Sequence, residues 1–234
     1  MPDLFKDGVL NMSTEPLGPS GAPLLWGDSA VNHWAVILAL VLFVLELSDL
    51  IRLYPHLLRC LSRWKGNLDL EHSVSLARTR NTIALVTGLV CCLIADRWEL
   101  VNPSFKMRLN PELHLLLTSG MVAGTLILRQ LLYLASKFRS RTSEYAQTLR
   151  HTLYNYLIML TSVMLLTVLL LVALRVEDSV IRMVLYVECI VFYLVHLIYT
   201  GQILRSRCGT LATILYLCAL EILPFGILIF ACTL

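Results

Sequence analysis

The sequence predicts an all-α polytopic membrane protein, a bundle of six transmembrane helices. Three observations lead there. Of 234 residues, 57 % are hydrophobic and 15 % charged, with a mean hydropathy of +0.73, whereas soluble domains carry about 25 % charged residues. Six apolar runs, 33–53, 81–98, 113–134, 152–174, 180–204 and 210–233, each approach the roughly 20 residues that cross hydrocarbon as a helix. The runs are continuous and Leu-rich, without the in/out alternation of barrel strands.

Residues 1–32 read as an irregular tail. Pro2, Pro16, Gly18, Pro19, Gly21 and Pro23 interrupt it, and Trp26 and Trp34 stand where interfacial anchors sit. No basic stretch leads into an early apolar core, so the first span is expected to remain as a reverse anchor. The other 202 positions, 33–234, form the transmembrane domain. After Pro55, Leu57, Leu58, Leu61 and Trp64 fall near one face, with His56, Arg59, Arg63 and Lys65 around the rest. That pattern suits an interfacial amphipathic helix or a basic extension of the first span. From Asp96 to Glu112, Pro103 and Pro111 mark a short outer excursion. Residues 136–151 form a polar inner loop with helix expected around Tyr145 to Arg150. The last two loops are short, which makes the last three helices up-down neighbours.

Orientation follows from lysine and arginine, which cytoplasmic loops retain. Arg52, Arg59, Arg63, Lys65, Arg78, Arg80, Lys137, Arg139, Arg141, Arg150, Arg205 and Arg207 share one side; Lys6, Arg97, Lys106, Arg108, Arg175 and Arg182 share the other. Both termini are therefore expected on the periplasmic side. The net charge of +3 reflects loop topology and gives no reason to expect nucleic-acid binding. The remaining basic residue, Arg129, lies inside the third span.

Polar residues at membrane depth are the functional candidates, because an ionisable group in hydrocarbon costs about 3 kcal/mol and normally faces protein, water or a partner. Glu221 leads them, near the centre of the sixth span. Pro224 follows three residues later; it cannot donate to the Leu220 carbonyl, so free backbone is expected beside the acid. A charge and unpaired backbone at one depth resemble transporter midplane sites, or else a proline kink with a hydrogen-bonded acid. Glu188 lies in the outer half of the fifth span, and His196 about one turn inward of Glu221. The short connection could bring His196 and Glu221 together as a proton-sharing couple, though His196 taken singly reads first as a hydrogen-bonded packing residue. Tyr193 and Tyr199 flank His196, and Asn155 and Ser162 give the fourth span a polar stripe. Near the inner end, Asp49 and Arg129 fall at nearly one level, with Glu46 at i−3 from Asp49. A Glu46, Asp49 and Arg129 network would make the inner half of the bundle polar inside; the reading favoured over it is a snorkelling Arg129 with Asp49 satisfied by Arg52. Gly120 and Gly124, with Ser119 and Ala123, form a small-residue face expected to serve helix packing within the bundle, or else a homodimer contact; Ala84 and Gly88 make a similar pair.

Several classes receive no support. Seven cysteines, including Cys60, Cys91, Cys92, Cys189, Cys218 and Cys232, show no CxxC pair, so neither a metal site nor a disulfide framework is expected. His33, His114 and His151 stand at helix ends, which leaves His196 without a second haem ligand at its level. No GxSxG turn is present. No cofactor is expected.

The segment LYLCALEILP, residues 215–224, together with YPHLLRCLSRW after the first span and the Arg-containing re-entry at Leu76 to Asn81, resembles an uncharacterised integral-membrane family of Bacteroidetes, a domain of unknown function. The resemblance covers residues 33–234 and implies a bacterial inner-membrane protein without indicating a reaction, ligand or cofactor. The leading expectation is a non-enzymatic scaffold or assembly factor of the envelope, contacting the lipid bilayer and a membrane-protein partner. The alternative is a small proton-coupled carrier using Glu221 with Glu188 and His196.

Overall fold

A computed structural model describes residues 26, 29–63, 66–67, 70, 73–103, 106, 111–135, 143–206 and 209–233. Most of the expected 1–32 tail lies outside these residues, as do Trp64, Lys65 and residues 136–142. The protein is an all-α bundle with six helices long and apolar enough to cross a membrane. The elements are α1 (Ala30–Ser62), α2 (Val74–Arg97), α3 (His114–Ala135), α4 (Ser143–Ala173), α5 (Asp178–Arg205) and a sixth span built from α6 (Thr210–Leu217), a π-turn (Cys218–Ile222) and α7 (Leu223–Thr233). A 3₁₀ turn at Pro111–Leu113 opens α3.

Of the two readings of the segment after Pro55, the extension of the first span is the one found and the separate interfacial helix is not: α1 runs unbroken through the proline for 33 residues. At 1.5 Å per residue that is about 50 Å, longer than the roughly 30 Å hydrocarbon layer. The last turns therefore stand at the headgroups. They do not lie flat on lipid, because Leu53, Leu57 and Cys60 are buried in the bundle while Leu58 faces out. The helix that was expected around Tyr145 to Arg150 is the first part of α4.

α2 is the central element. In its most apolar stretch 61 % of residues are buried, against 11 % for α1. α2 packs on α1, α3 and α4; α4 packs on α5; and the sixth span closes between α3 and α5. One core joins Leu53, Leu57, Ile83, Ala84 and Ile158 of α1, α2 and α4. A second joins Ala39, Val90, Leu93, Met164 and Leu185. A third joins Tyr133, Leu149, Ile203, Leu204 and Leu220 beneath the sixth span.

Two helices end in the same way. Glu99 (φ 51°) and Arg175 (φ 54°) adopt the left-handed conformation, and the next residues' N–H groups reach back five positions, Leu100 to Ala95 and Val176 to Leu171. This closure satisfies carbonyls that a helix end would otherwise strand. It turns the chain at the end of α2 and α4 where no glycine is available.

The glycine expectation needs correcting. Gly120 and Gly124 are exposed, and a Cβ on either would meet nothing within 4 Å. They look outward because the buried face of α3 is set by Leu115, Thr118, Thr125, Arg129 and Tyr133. The small-residue pair used inside the bundle is Ala84 and Gly88 of α2, where a Cβ on Gly88 would touch Leu157 of α4 at 3.9 Å.

Candidate functional site: a buried carboxylate held by four helices

Pro224 has no N–H to give, and the helix answers with a π-turn: Leu223 N–H donates five residues back, to Cys218 O. Such turns insert one residue and redirect a side chain. Here the redirected residue is Glu221, which is fully buried. The carbonyl of this turn that receives a side-chain donor is Glu221's own, one position beyond Leu220, taken by Tyr193 Oη at 3.2 Å.

Four donors meet the Glu221 carboxylate. Arg129 Nε reaches Oε2 at 2.8 Å and Arg129 Nη2 reaches Oε1 at 2.7 Å, a bidentate pair. Tyr133 Oη donates to Oε1 at 2.5 Å, and His196 Nε2 stands 3.1 Å from Oε2. A carboxylate opposite Nε2 assigns the ring proton to that nitrogen. A carboxylate has about four lone-pair sites, so Glu221 is saturated by protein. The guanidinium is nearly so: Nη1 donates to Arg150 O at 3.0 Å, Nη2 also to Leu149 O at 3.1 Å, and its carbon sits 4.8 Å from the Tyr133 ring centre. The cluster ties α3, the start of α4, α5 and the sixth span at one point. Charge is neutralised where it is buried, which is what hydrocarbon depth demands.

The expected pairing of His196 with Glu221 is present. The Glu46, Asp49 and Arg129 network is absent among the described residues, and Arg129, 1 % exposed, does not snorkel. Arg129 turns its long stem inward to Glu221 because α3 neighbours the sixth span, whereas α1 packs on α2. Asp49 takes the alternative, facing Arg52 at 4.0 Å with both side chains half or more exposed. Glu46 is partly exposed and has no polar partner among the described residues. Glu188 does not join Glu221; eight residues toward the other end of α5, about 12 Å, it accepts from Thr167 Oγ1 at 2.5 Å.

Two polar groupings escaped the sequence reading. Asp96, buried at the end of α2, accepts from Lys106 Nζ, Thr118 Oγ1 and Trp26 Nε1, each at 2.8 Å. Both Asp96 and Lys106 had been assigned to the outer excursion. A buried pair ten residues apart carries only a faint signal: an acid directly ending an apolar run and a lysine between two prolines. The second grouping lies where α4 and α5 meet the end of α1 and the residues after it: Asn155 Nδ2 donates to Asn67 Oδ1 at 2.8 Å and Tyr199 Oη to Leu61 O at 2.8 Å. His196 Nδ1, Thr200 Oγ1 and Asn155 Oδ1 are buried without a hydrogen-bond partner among the described residues.

No family model, curated protein or solved structure matches the chain.

Proposed function

We propose that this protein is a non-enzymatic scaffold or assembly factor, seated in a bacterial inner membrane with both termini on the periplasmic side. One observation carries the reading: the lone-pair sites of Glu221 are filled by Arg129, Tyr133 and His196 of the same chain. An acid so occupied fastens helices and has no acceptor capacity left for a cargo. The carrier reading would place its coupling group in the very carboxylate that the bundle uses as a rivet. Glu188, its intended assistant, stands apart.

The surface left for a partner is α1. Its lipid-depth stretch is only 11 % buried; Leu45, Leu47 and Ser48 face out, and Glu46, half-buried, lies on the stripe of Ala39, Leu50 and Leu53 that meets the bundle. A half-buried carboxylate at membrane depth with no donor among the described residues is costly, so a partner helix packing on α1 and offering one would be stabilised there. The inner-membrane setting rests on the resemblance of residues 33–234 to the Bacteroidetes family and on the twelve-to-six lysine and arginine asymmetry.

The test is a deletion strain complemented with three forms of the gene: wild type, Glu46→Leu, and the apolar double replacement Arg129→Met with Glu221→Leu. A scaffold predicts that the double replacement restores envelope integrity while Glu46→Leu does not, and that a reproducible membrane-protein partner co-purifies with the first and not the second. Loss of function in a folded double replacement would favour the carrier. An intact envelope in the deletion strain would remove the assembly role. Reporter fusions at Arg175 and Ser206 check orientation: the first should report the periplasm and the second the cytoplasm.

A further inference from the structure

We propose that the groove between the end of α1 and α5 binds one anionic phospholipid, with an acyl chain along α5 and the phosphate at Arg63 and Arg205. The groove holds about 350 Å³ and is lined by Leu61 of α1 with Phe192, Val195, Ile198, Tyr199 and Gln202 of α5. That volume lies within the roughly 300–1,000 Å³ of small-ligand sites. Ile198 is 57 % exposed, so the groove opens on the outside of the bundle, where lipid lies.

Polarity changes along the groove in the order in which it changes along a phospholipid. Phe192, Val195 and Ile198 supply an apolar wall. Tyr199 and Gln202 follow at i and i+3; Arg205 comes one further step of three, about 120° round α5 from Tyr199, so its long side chain must span that offset to reach the end of the groove. Tyr199 Oη donates to Leu61 O at 2.8 Å; this joins the two walls and leaves its oxygen able to accept. The Gln202 amide is exposed and has no polar partner among the described residues, which leaves its N–H₂ for an ester or phosphate oxygen.

Beyond the lining, both helices continue into basic residues. Arg205 is exposed in the last turn of α5, while Arg63 caps α1 two residues beyond Leu61, with Arg59 exposed one turn before it. None of the three has an ion-pair partner among the described residues. An apolar helix from a partner or a second copy would fill the wall and leave these guanidinium groups unmatched. A phosphodiester supplies the bidentate acceptor that arginine geometry fits, and a zwitterionic headgroup adds an ammonium that opposes it. The match is to net negative charge joined to an acyl chain.

The experiment is native mass spectrometry of the full chain, released from detergent after titration with phosphatidylglycerol or phosphatidylcholine of identical acyl chains. Wild type should retain one phosphatidylglycerol at least fivefold more readily than phosphatidylcholine, since each arginine near a headgroup favours an anionic lipid by about fivefold. Arg63→Gln with Arg205→Gln should bring the preference below twofold, whereas Arg182→Gln, at the opposite end of α5, should leave it unchanged. Val195→Trp, which fills the groove, should remove the retained lipid of either kind. Should that variant misfold, Gln202→Glu sets a carboxylate beside the phosphate on an exposed position, and it should weaken phosphatidylglycerol alone by fivefold or more. Equal retention of the two lipids, a preference that survives the double arginine replacement, or a dimer in place of the lipid adduct would overturn the proposal.

Discussion

Replacing Glu221 by glutamine preserves shape and removes one charge, and the surroundings make that change severe. Every group around the carboxylate points a donor at it: two guanidinium N–H groups, the Tyr133 hydroxyl and His196 Nε2. Wherever the new amide places its nitrogen, N–H₂ confronts another donor. Arg129, 1 % exposed, also loses its counter-ion and cannot shed its proton. Breaking one side of a buried pair costs about 3–5 kcal/mol. A floor comes from hydrogen bonds in membrane bundles, which average about 0.6 kcal/mol each; four of them give roughly 2 kcal/mol. The loss for Glu221→Gln should therefore fall between about 2 and 5 kcal/mol. Arg129→Met should cost less, because the stranded carboxyl can take up a proton and shed its charge. The double replacement Arg129→Met with Glu221→Leu should lie within about 1 kcal/mol of wild type, since apolar exchange of a buried pair is often neutral. Equilibrium unfolding in mixed micelles, followed by helical circular dichroism, measures all of these. The cycle formed by Arg129→Met, Glu221→Leu and their combination isolates the coupling. Additive losses, or a Glu221→Gln variant as stable as wild type, would refute the rivet.

Further outcomes follow from other parts of the bundle. Asp96→Ala leaves the Lys106 ammonium, 5 % exposed, without its partner and should lower stability by about 3 kcal/mol in the same unfolding assay, with increased hydrogen exchange through residues 101–103. Gly66→Ala sets a Cβ 2.8 Å from the backbone C and O of Arg59 and should cost about 2 kcal/mol or more. Gly124→Ala meets open space and should raise stability by about 0.5 kcal/mol through helix propensity; a loss there would mean that the glycine face is occupied. Thr167→Val removes the hydroxyl that Glu188 Oε1 accepts from and should cost about 1 kcal/mol without altering the Arg129 to Glu221 coupling.

How much of this was legible depends on whether the information is carried along one helix or between helices. Each span was readable because apolar length is a local property, and the six boundaries moved mainly where α1 and α4 continue past the hydrocarbon. The His196 and Glu221 pairing was readable too, since a connection of a few residues forces α5 and the sixth span side by side and depth can then be counted from their ends. Arg129 was placed at the right level and given the wrong partner. Hydropathy reports depth and says nothing about which helix stands next to α3 around the bundle, and a long arginine stem hides how far inward its guanidinium reaches. The same gap misassigned Gly120 and Gly124: a small-residue pair shows that close approach is possible, but the face that α3 buries was decided by Thr118, Thr125, Arg129 and Tyr133 on another side. Pro224 announced a disturbed turn. That the disturbance would be a π-turn aiming Glu221 at α3 and α5 depends on partners up to 92 residues away in sequence. The physical reason for that dependence is also what makes the site informative. An extra residue in a helix and a carboxylate at membrane depth are each unfavourable alone, and they persist together because Arg129, Tyr133, Tyr193 and His196 are held where both are satisfied at once. The lock is thus a property of the assembled bundle. An isolated sixth span would be expected to lose both the π-turn and the ionised acid, which hydrogen exchange at Leu223 in a peptide of residues 210–233 would reveal as faster opening than in the full chain.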